Sequence, residues 1–192
     1  GTGTGLIALM LAQRSEAEQI DAIELEPGAF EQALENFENS PWGDRLYCYH
    51  TSLQEFAAEI EDTYDLIISN PPYFLPNPQA DGKRSLARHH GHLSYEELII
   101  CSAKLLSKTG SCAFILPVQE EVQFLRFAEQ SGLFPQKITR VRGHAGSPVK
   151  RSLIEIKFGE QICTTDELIL EIERNTYTPA FRDLVKDFYL KL

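Results

Sequence analysis

The sequence predicts an α/β fold, with a mostly parallel sheet, an antiparallel strand at one edge and helices on both faces. Three observations carry this. Short β-rich runs alternate with helix-period runs along the chain, the pattern of strands joined by crossover helices. Two of the strand runs, YDLIIS at 64–69 and GSCAFILP at 110–117, carry apolar residues at successive positions, as strands covered on both faces do. Two later candidates, 136–141 and 153–158, flank a connection containing Gly and Pro, which reads as a hairpin loop closing an antiparallel pair.

The elements begin after the opening GTGTG, where residues 6–14 are apolar and compact enough for a helix, and 20–25 (IDAIEL) read as a strand between polar neighbours. Pro27 stands at a first helical position, and 29–39 carries apolar residues at 30, 33, 34 and 37, the spacing of a second helix. Residues 46–50 suggest a strand, Ser52 and Glu55 have capping-box spacing for a short helix, and 64–69 is the third strand. The stretch 71–93 is Pro-, Gly- and basic-rich without a period; it reads as a long loop, and such loops in compact domains are usually functional or disordered. Ser94 caps a helix to about residue 107, 110–117 follows as a strand and 120–130 as a helix. Beyond the hairpin pair, 167–172 is a short strand candidate, and Thr178-Pro179 opens a last helix through Tyr189.

With 192 residues, 43% apolar and 24% charged, the chain has material for one core, and 1–192 is expected to form a single domain. No internal repeat or low-complexity tract competes with that expectation. A formal charge of −10 and a pI near 5.0 exclude a uniformly basic nucleic-acid coat. The cysteines at 48, 101, 112 and 163 never approach a C-x-x-C spacing, which points to reduced thiols and a cytoplasmic address. No apolar run approaches the roughly 20 residues that span a bilayer, and the amino end lacks a basic and then apolar signal segment. A monomer without a metal site is expected, since the histidines lack ligand spacing.

Gly1, Thr2, Gly3 and Gly5 stand directly before the first helix. Glycines there let backbone approach a ligand closely, and the helix amino terminus adds donors and positive potential. A nucleotide-like cofactor suits this arrangement, with an ordinary turn as the plainer alternative. Glu24 favours the cofactor, because an acid at the end of the next strand, about 20 residues on, accepts hydrogen bonds from ribose hydroxyls. Glu26 has a competing use in the first turn of the following helix. Leu6 occupies the place where a dinucleotide fold would carry its third glycine.

Asn70-Pro71-Pro72-Tyr73 follows directly on the strand YDLIIS, and at average residue usage it arises by chance in roughly one protein per thousand of this length. Asn-Pro is also a common turn opener, but here it falls where a strand exits the sheet, the end at which such folds bind ligands. The Asn side-chain carbonyl and a main-chain carbonyl held by the rigid Pro-Pro backbone make two acceptors for one NH2 group. Converging on both hydrogens, they would aim the nitrogen lone pair, while Tyr73 offers a face on which a base stacks.

The glycine turn resembles the first motif of class I S-adenosylmethionine-dependent methyltransferases, and Asn-Pro-Pro-Tyr resembles the fourth motif of those that modify an exocyclic or amide nitrogen. Those enzymes act on adenine N6 in DNA or RNA, guanine N2 in ribosomal RNA, or glutamine N5 in release factors. The resemblance implies a Rossmann-like sheet whose first strand precedes Gly1, with S-adenosylmethionine as cofactor. It implies cofactor contacts at Gly1, Thr2, Gly3, Gly5, Glu24, Leu25, Leu53 and Asn70, and catalysis by Asn70, Pro71 and Tyr73 through direct in-line attack of nitrogen on the methyl group. Many members carry an acid or amide after the third strand to contact the cofactor's adenine. Here the chain reads His50-Thr51-Ser52-Leu53, with Ser52 committed to capping, and the adenine contacts stay open.

Charge is segregated. Residues 81–92 hold Lys83, Arg84 and Arg88, with His89, His90 and His92, against Asp81 alone, for +2; 137–151 hold Lys137, Arg140, Arg142, Lys150 and Arg151 and no acid, for +5. On an acidic body this reads as a local phosphate-binding rim, with solvated loops as the alternative. Candidate substrate contacts are Pro72, Phe74, Lys83, Arg84, Arg88, His89, Lys150 and Arg151. Three stretches narrow the resemblance: SNPPYF with KRSLARHH and LSYEELI, then PVKRSLIEIKF, then the ending YTPAFRDLVKDFYLKL. Together they resemble the bacterial tRNA methyltransferases that make N6-methyladenosine at position 37 of valine tRNA, over nearly the whole chain, which implies tRNA as the partner. The alternatives are a release-factor glutamine methyltransferase, a guanine N2 ribosomal RNA enzyme and a catalytically idle RNA-binding module.

Overall fold

Along β1 (Ile20–Glu24), Ile20, Ala22 and Glu24 are buried and the residues between them half-buried, the period-two pattern of a strand with one face in a core. The structure is a computed structural model and describes residues 1–71 and 93–190. Contacts divide the chain into two compact units, Gly1–Glu61 and Asp62–Leu192.

The first unit holds α1 (Leu6–Arg14), β1, α2 (Pro27–Glu38), β2 (Leu46–His50) and α3 (Leu53–Glu59). β1 and β2 pair in parallel from Ile20 opposite Leu46 to Glu24 opposite His50. Ala8, Ala12, Ile20, Ala22, Phe37 and Leu46 form the core. The carboxyl end of α1 is closed by Arg45, whose guanidinium donates to the carbonyls of Ala12, Ser15 and Ala17. A cation there satisfies orphan acceptors at the negative end of the helix dipole. α2 starts as expected at Pro27, and α3 starts at the Ser52/Glu55 capping box.

The second unit is a six-stranded sheet in the order β3-β4-β6-β5-β7-β8. Its strands are β3 (Tyr64–Ser69), β4 (Leu106–Pro117), β5 (Leu133–His144), β6 (Val149–Phe158), β7 (Thr164–Glu173) and β8 (Thr176–Tyr177). Its helices are α4 (Tyr95–Leu105), α5 (Glu121–Gln130) and α6 (Pro179–Val185). β3–β4 and β5–β7 are parallel; β4–β6, β5–β6 and β7–β8 are antiparallel. The expected hairpin is β5–β6, but β6 lies inside the sheet between β4 and β5, because β7 and β8 extend it beyond β5. Phe114 and Phe124 meet at 5.1 Å, and Tyr95 stands edge-on to Phe124 at 5.6 Å. These rings join α4 and α5 to β4 over buried Leu116, Ile138, Ile154 and Ile156.

Some boundaries differ from the sequence expectation. β5 begins at Leu133 and runs through Pro135, where a register shift between Pro135 and Lys137 absorbs the missing N–H. β7 begins at Thr164 rather than near 167, because Asp166 and Glu167 are held in the sheet by pairing with β5. The last helix ends at Val185 rather than Tyr189. None of its residues is buried, and a short helix without a packed face does not propagate. No helix among the described residues is long and apolar enough to cross a membrane.

Candidate functional site

In the first unit, the glycine turn closes on the end of β1. Thr2 N–H donates to the Ile23 carbonyl at 2.8 Å and Gly5 N–H to the Thr2 carbonyl at 3.2 Å. Gly3 and Gly5 have φ of 59° and 82°, the left-handed region where a side chain is strained. At Gly5 space is also lacking, since an added Cβ would lie 2.4 Å from Cε1 of Phe37. Asn36 Nδ2 donates to the Thr4 carbonyl at 2.9 Å, tying α2 to the same turn.

Glu24 faces this turn and is 8% exposed. Its Oε2 accepts from Gly3 N–H at 2.7 Å, and its Oε1 from the Leu25 and Glu26 N–H groups at 2.9 Å each. Burial pushes the carboxyl upward, but the amides of Glu26, Gly3 and Leu25 draw it further down, leaving it below the ordinary carboxylate value and ionised at neutral pH. A carboxylate offers about four acceptor positions; three amides leave room for a further donor on Oε2. Glu26 is spent on the helix, accepting from Gly28 and Ala29 N–H at 3.1 and 2.6 Å as the N-cap of α2. The two acids separated in the sequence by one residue therefore have separate work.

Next to Glu24, Leu25 is 53% exposed. His50, opposite Glu24 in the ladder, stacks on Phe30 with centroids 4.9 Å apart and planes 16° from parallel, and its Nε2 lies 3.1 Å from the Leu25 carbonyl. Sequence reasoning did not single out this pair. Only the β1–β2 register brings it to the acid, and no spacing in the chain announces it. Ser52 donates to Glu55 Oε2 at 2.7 Å and accepts from Glu55 N–H at 3.2 Å, so it is engaged in capping; Leu53, the first residue of α3, is half-buried. An ionised carboxylate with an open acceptor position, next to an exposed Leu and a flat stacked pair, fits the ribose and base of a nucleoside.

In the second unit, β3 delivers Asn70, which is exposed, and Pro71, which is buried. Pro72, Tyr73 and Phe74, and the basic candidates Lys83, Arg84, Arg88 and His89, lie outside the described residues. The register places Ser69, Phe114, Ile154 and Ile138 in one row, with Leu116, Ser152 and Arg140 two residues further toward the carboxyl ends of β3 and β4. Arg151 stands opposite both Pro117 and Val141 at that same end, and Lys150 beside it is exposed. The strand exit at Asn70 and the candidate rim thus share one end of the sheet.

The rim is less basic than its local count. Lys137 pairs with Asp166 at 3.0 Å, Arg140 with Glu121 at 2.8 Å and Arg142 with Glu167 at 2.6 Å. Among the described residues, at least three of the five cations in the +5 stretch therefore meet carboxylates. A count along the chain misses them because β7 and α5 bring them from outside the window.

Solved structures that share this fold include methyltransferases. A crystal structure from Agrobacterium tumefaciens, described as a predicted O-methyltransferase, matches with a TM-score of 0.75 at 20% identity, covering 97% of this chain and 86% of its own. Ribosomal protein L11 methylase from Lactobacillus delbrueckii subsp. bulgaricus matches with a TM-score of 0.59 at 16% identity, over 83% and 67%. The fold is the Rossmann-like class I methyltransferase fold. Residues 1–117 match the methyltransferase small domain family, and the chain belongs to that family. A relative from Christiangramia forsetii is 54% identical over 195 residues, spanning all of this chain and 81% of its own length. One from Flavobacterium johnsoniae is 50% identical over 194 residues, spanning all of this chain and 83% of its own. Both are named tRNA1(Val) (adenine(37)-N6)-methyltransferase.

Proposed function

We propose that this protein transfers a methyl group from S-adenosylmethionine to N6 of adenine 37 in tRNA1(Val). The observation that carries this reading is identity of 49–54% along the whole chain to three relatives bearing that one name. The site chemistry agrees with it. The turn of Gly1, Thr2, Gly3 and Gly5 offers backbone at a helix amino terminus, Glu24 has acceptor capacity for a ribose hydroxyl, and Leu25 and Leu53 supply apolar surface for the base.

S-adenosylmethionine supplies, when bound, a methyl group on a positively charged sulfur, an electrophile that needs no metal. The work left to the protein is placement. The side-chain carbonyl of Asn70 and the main-chain carbonyl of Pro71 accept the two hydrogens of the adenine amino group, which aims its lone pair, and Tyr73 stacks on the base. Pro72 and Phe74 extend that contact. Lys83, Arg84, Arg88, His89, Lys150 and Arg151 meet the phosphates of the RNA.

Mass spectrometry of tRNA nucleosides from cells with and without the gene tests the assignment. N6-methyladenosine in tRNA1(Val) that disappears on deletion and returns on complementation is the expected result. An unchanged tRNA profile together with loss of glutamine methylation in a release factor would move the substrate to protein.

A further inference from the structure

Three side chains from three elements meet below the carboxyl rim of the six-stranded sheet. Glu121, the first residue of α5, is 7% exposed; its Oε1 accepts from Arg140 Nη2 at 2.8 Å and its Oε2 from the Ser152 hydroxyl at 2.5 Å. Ser152 is fully buried and stands directly opposite Arg140 in the β5–β6 ladder. Burial would raise the Glu121 carboxyl, but the hydrogen bonds from Arg140 and Ser152 and the Arg140 charge hold it below the ordinary range, so the pair is ionic at neutral pH.

The two partners are not equally buried. The carboxylate lies inside, whereas the Arg140 side chain is 43% exposed. Glu121 takes a single nitrogen of the fork, and Arg140 Nε is buried without a hydrogen-bond partner. A pair built only for cohesion would engage the fork through two parallel bonds, and apolar residues of similar volume would fill the space at least as well. What this network adds is a half-exposed guanidinium fixed in direction. Lys137 differs, since its partner Asp166 has a side chain 51% exposed, and such a solvent-screened pair holds a side chain weakly. Arg142 is held by Glu167 and by the Ser147 carbonyl, each at 2.6 Å, but its side chain is only 29% exposed and presents less of the guanidinium.

Arg140 also lies at the same end of the sheet as the strand exit at Asn70. Its row of the sheet is two residues beyond that of Ser69, level with the exit of the chain at Pro71, and three strand spacings away, roughly 14 Å. A nucleic acid whose base reached Asn70 would carry a neighbouring phosphate over that distance.

We propose that Arg140 is a fixed phosphate contact for the tRNA, and that Glu121 and Ser152 are positioning residues that aim it. This rests on the tRNA reading above. The five donors of a guanidinium allow one edge to stay on Glu121 while another meets a phosphate oxygen.

The test uses the full-length protein and unmodified tRNA1(Val), reading tRNA affinity against salt and KM against kcat. In Arg140→Met, tRNA affinity is expected to fall about tenfold and the slope of log affinity against log salt to shrink by about one, the signature of a lost phosphate contact. Glu121→Gln, which keeps the cation but loosens its orientation, is expected to raise KM for tRNA several-fold while retaining the wild-type salt slope. Because either single change strands a buried group, and replacing Glu121 also takes the acceptor from the buried Ser152 hydroxyl, the triple variant Glu121→Leu/Arg140→Met/Ser152→Ala serves as the folded control. Its melting temperature should stay near wild type while its tRNA affinity matches that of Arg140→Met. Wild-type affinity and slope in both Arg140 variants would overturn the proposal and leave the network purely structural. A wild-type protein that methylates a release factor and not the tRNA would instead overturn the underlying substrate reading.

Discussion

The Phe37 ring lies against the backbone of Gly5 so closely that a Cβ there would stand 2.4 Å from its Cε1. Helix α2 thereby buttresses the turn that precedes α1, and Gly5→Ala meets both an unfavourable φ of 82° and an occupied space. The expected destabilisation is about 2–4 kcal/mol. Gly3→Ala, where φ is 59° but nothing lies within 4 Å of an added Cβ, should cost only about 1–2 kcal/mol. Urea midpoints of the two variants decide this, and equal losses would remove Phe37 from the account.

Glu24→Ala removes a carboxylate that three amides share. Weaker S-adenosylmethionine binding is expected, by on the order of 1.5–3 kcal/mol, together with a lower melting temperature because the turn loses its anchor. Calorimetry paired with thermal melts measures both. Unchanged affinity in a destabilised protein would leave Glu24 as a structural acid alone.

How much of this was legible before folding divides by range in the chain. Ser52 with Glu55, Ser94, and Thr178 with Pro179 are signals that act within three residues, and all three begin helices as the sequence predicts. The structure adds Glu97 as the partner that completes a capping box with Ser94. The strand 64–69 leading into Asn70 and Pro71 was equally plain, because an apolar run and a proline stop are local signals. The Phe30–His50 stack and the Glu121–Arg140–Ser152 network were not legible. Each depends on strand register, and nothing near Arg140 in the sequence announces a carboxylate from α5. The same blindness made the 137–151 stretch look like five unopposed cations.

Stability should fall with acid through Glu121. Its folded carboxyl is held below the ordinary value, so its contribution is fully present above the unfolded carboxylate range, about 4.3, and is lost as pH falls through the lower folded value. Glu24 contributes in the same direction. Melting temperature followed from pH 7 downward should drop below about pH 5 in the wild type, and Glu121→Gln should drop less steeply over that interval. Parallel curves would show that the Glu121 pair does not drive the acid transition.

Under the proposed function, Asn70→Ala removes the side-chain acceptor assigned to the target amino group while leaving Glu24 and the glycine turn intact. Methyl transfer should fall by on the order of a hundredfold or more, with S-adenosylmethionine affinity little changed. Tyr73→Phe should be milder than Tyr73→Ala, since stacking needs the ring. Single-turnover rates measure both, and a comparable loss of cofactor affinity in Asn70→Ala would place that residue in cofactor binding rather than in transfer.

The most direct measurement offers the full-length protein S-adenosylmethionine with an isotope-labelled methyl group, unmodified tRNA1(Val), the same tRNA with guanine in place of adenine 37, and a release factor with its acceptor glutamine. Mass spectrometry of the digested products locates the label. The account predicts label on N6 of adenine 37 and none on the substituted tRNA or the release factor; label on the release-factor glutamine, or at another tRNA position, would contradict it.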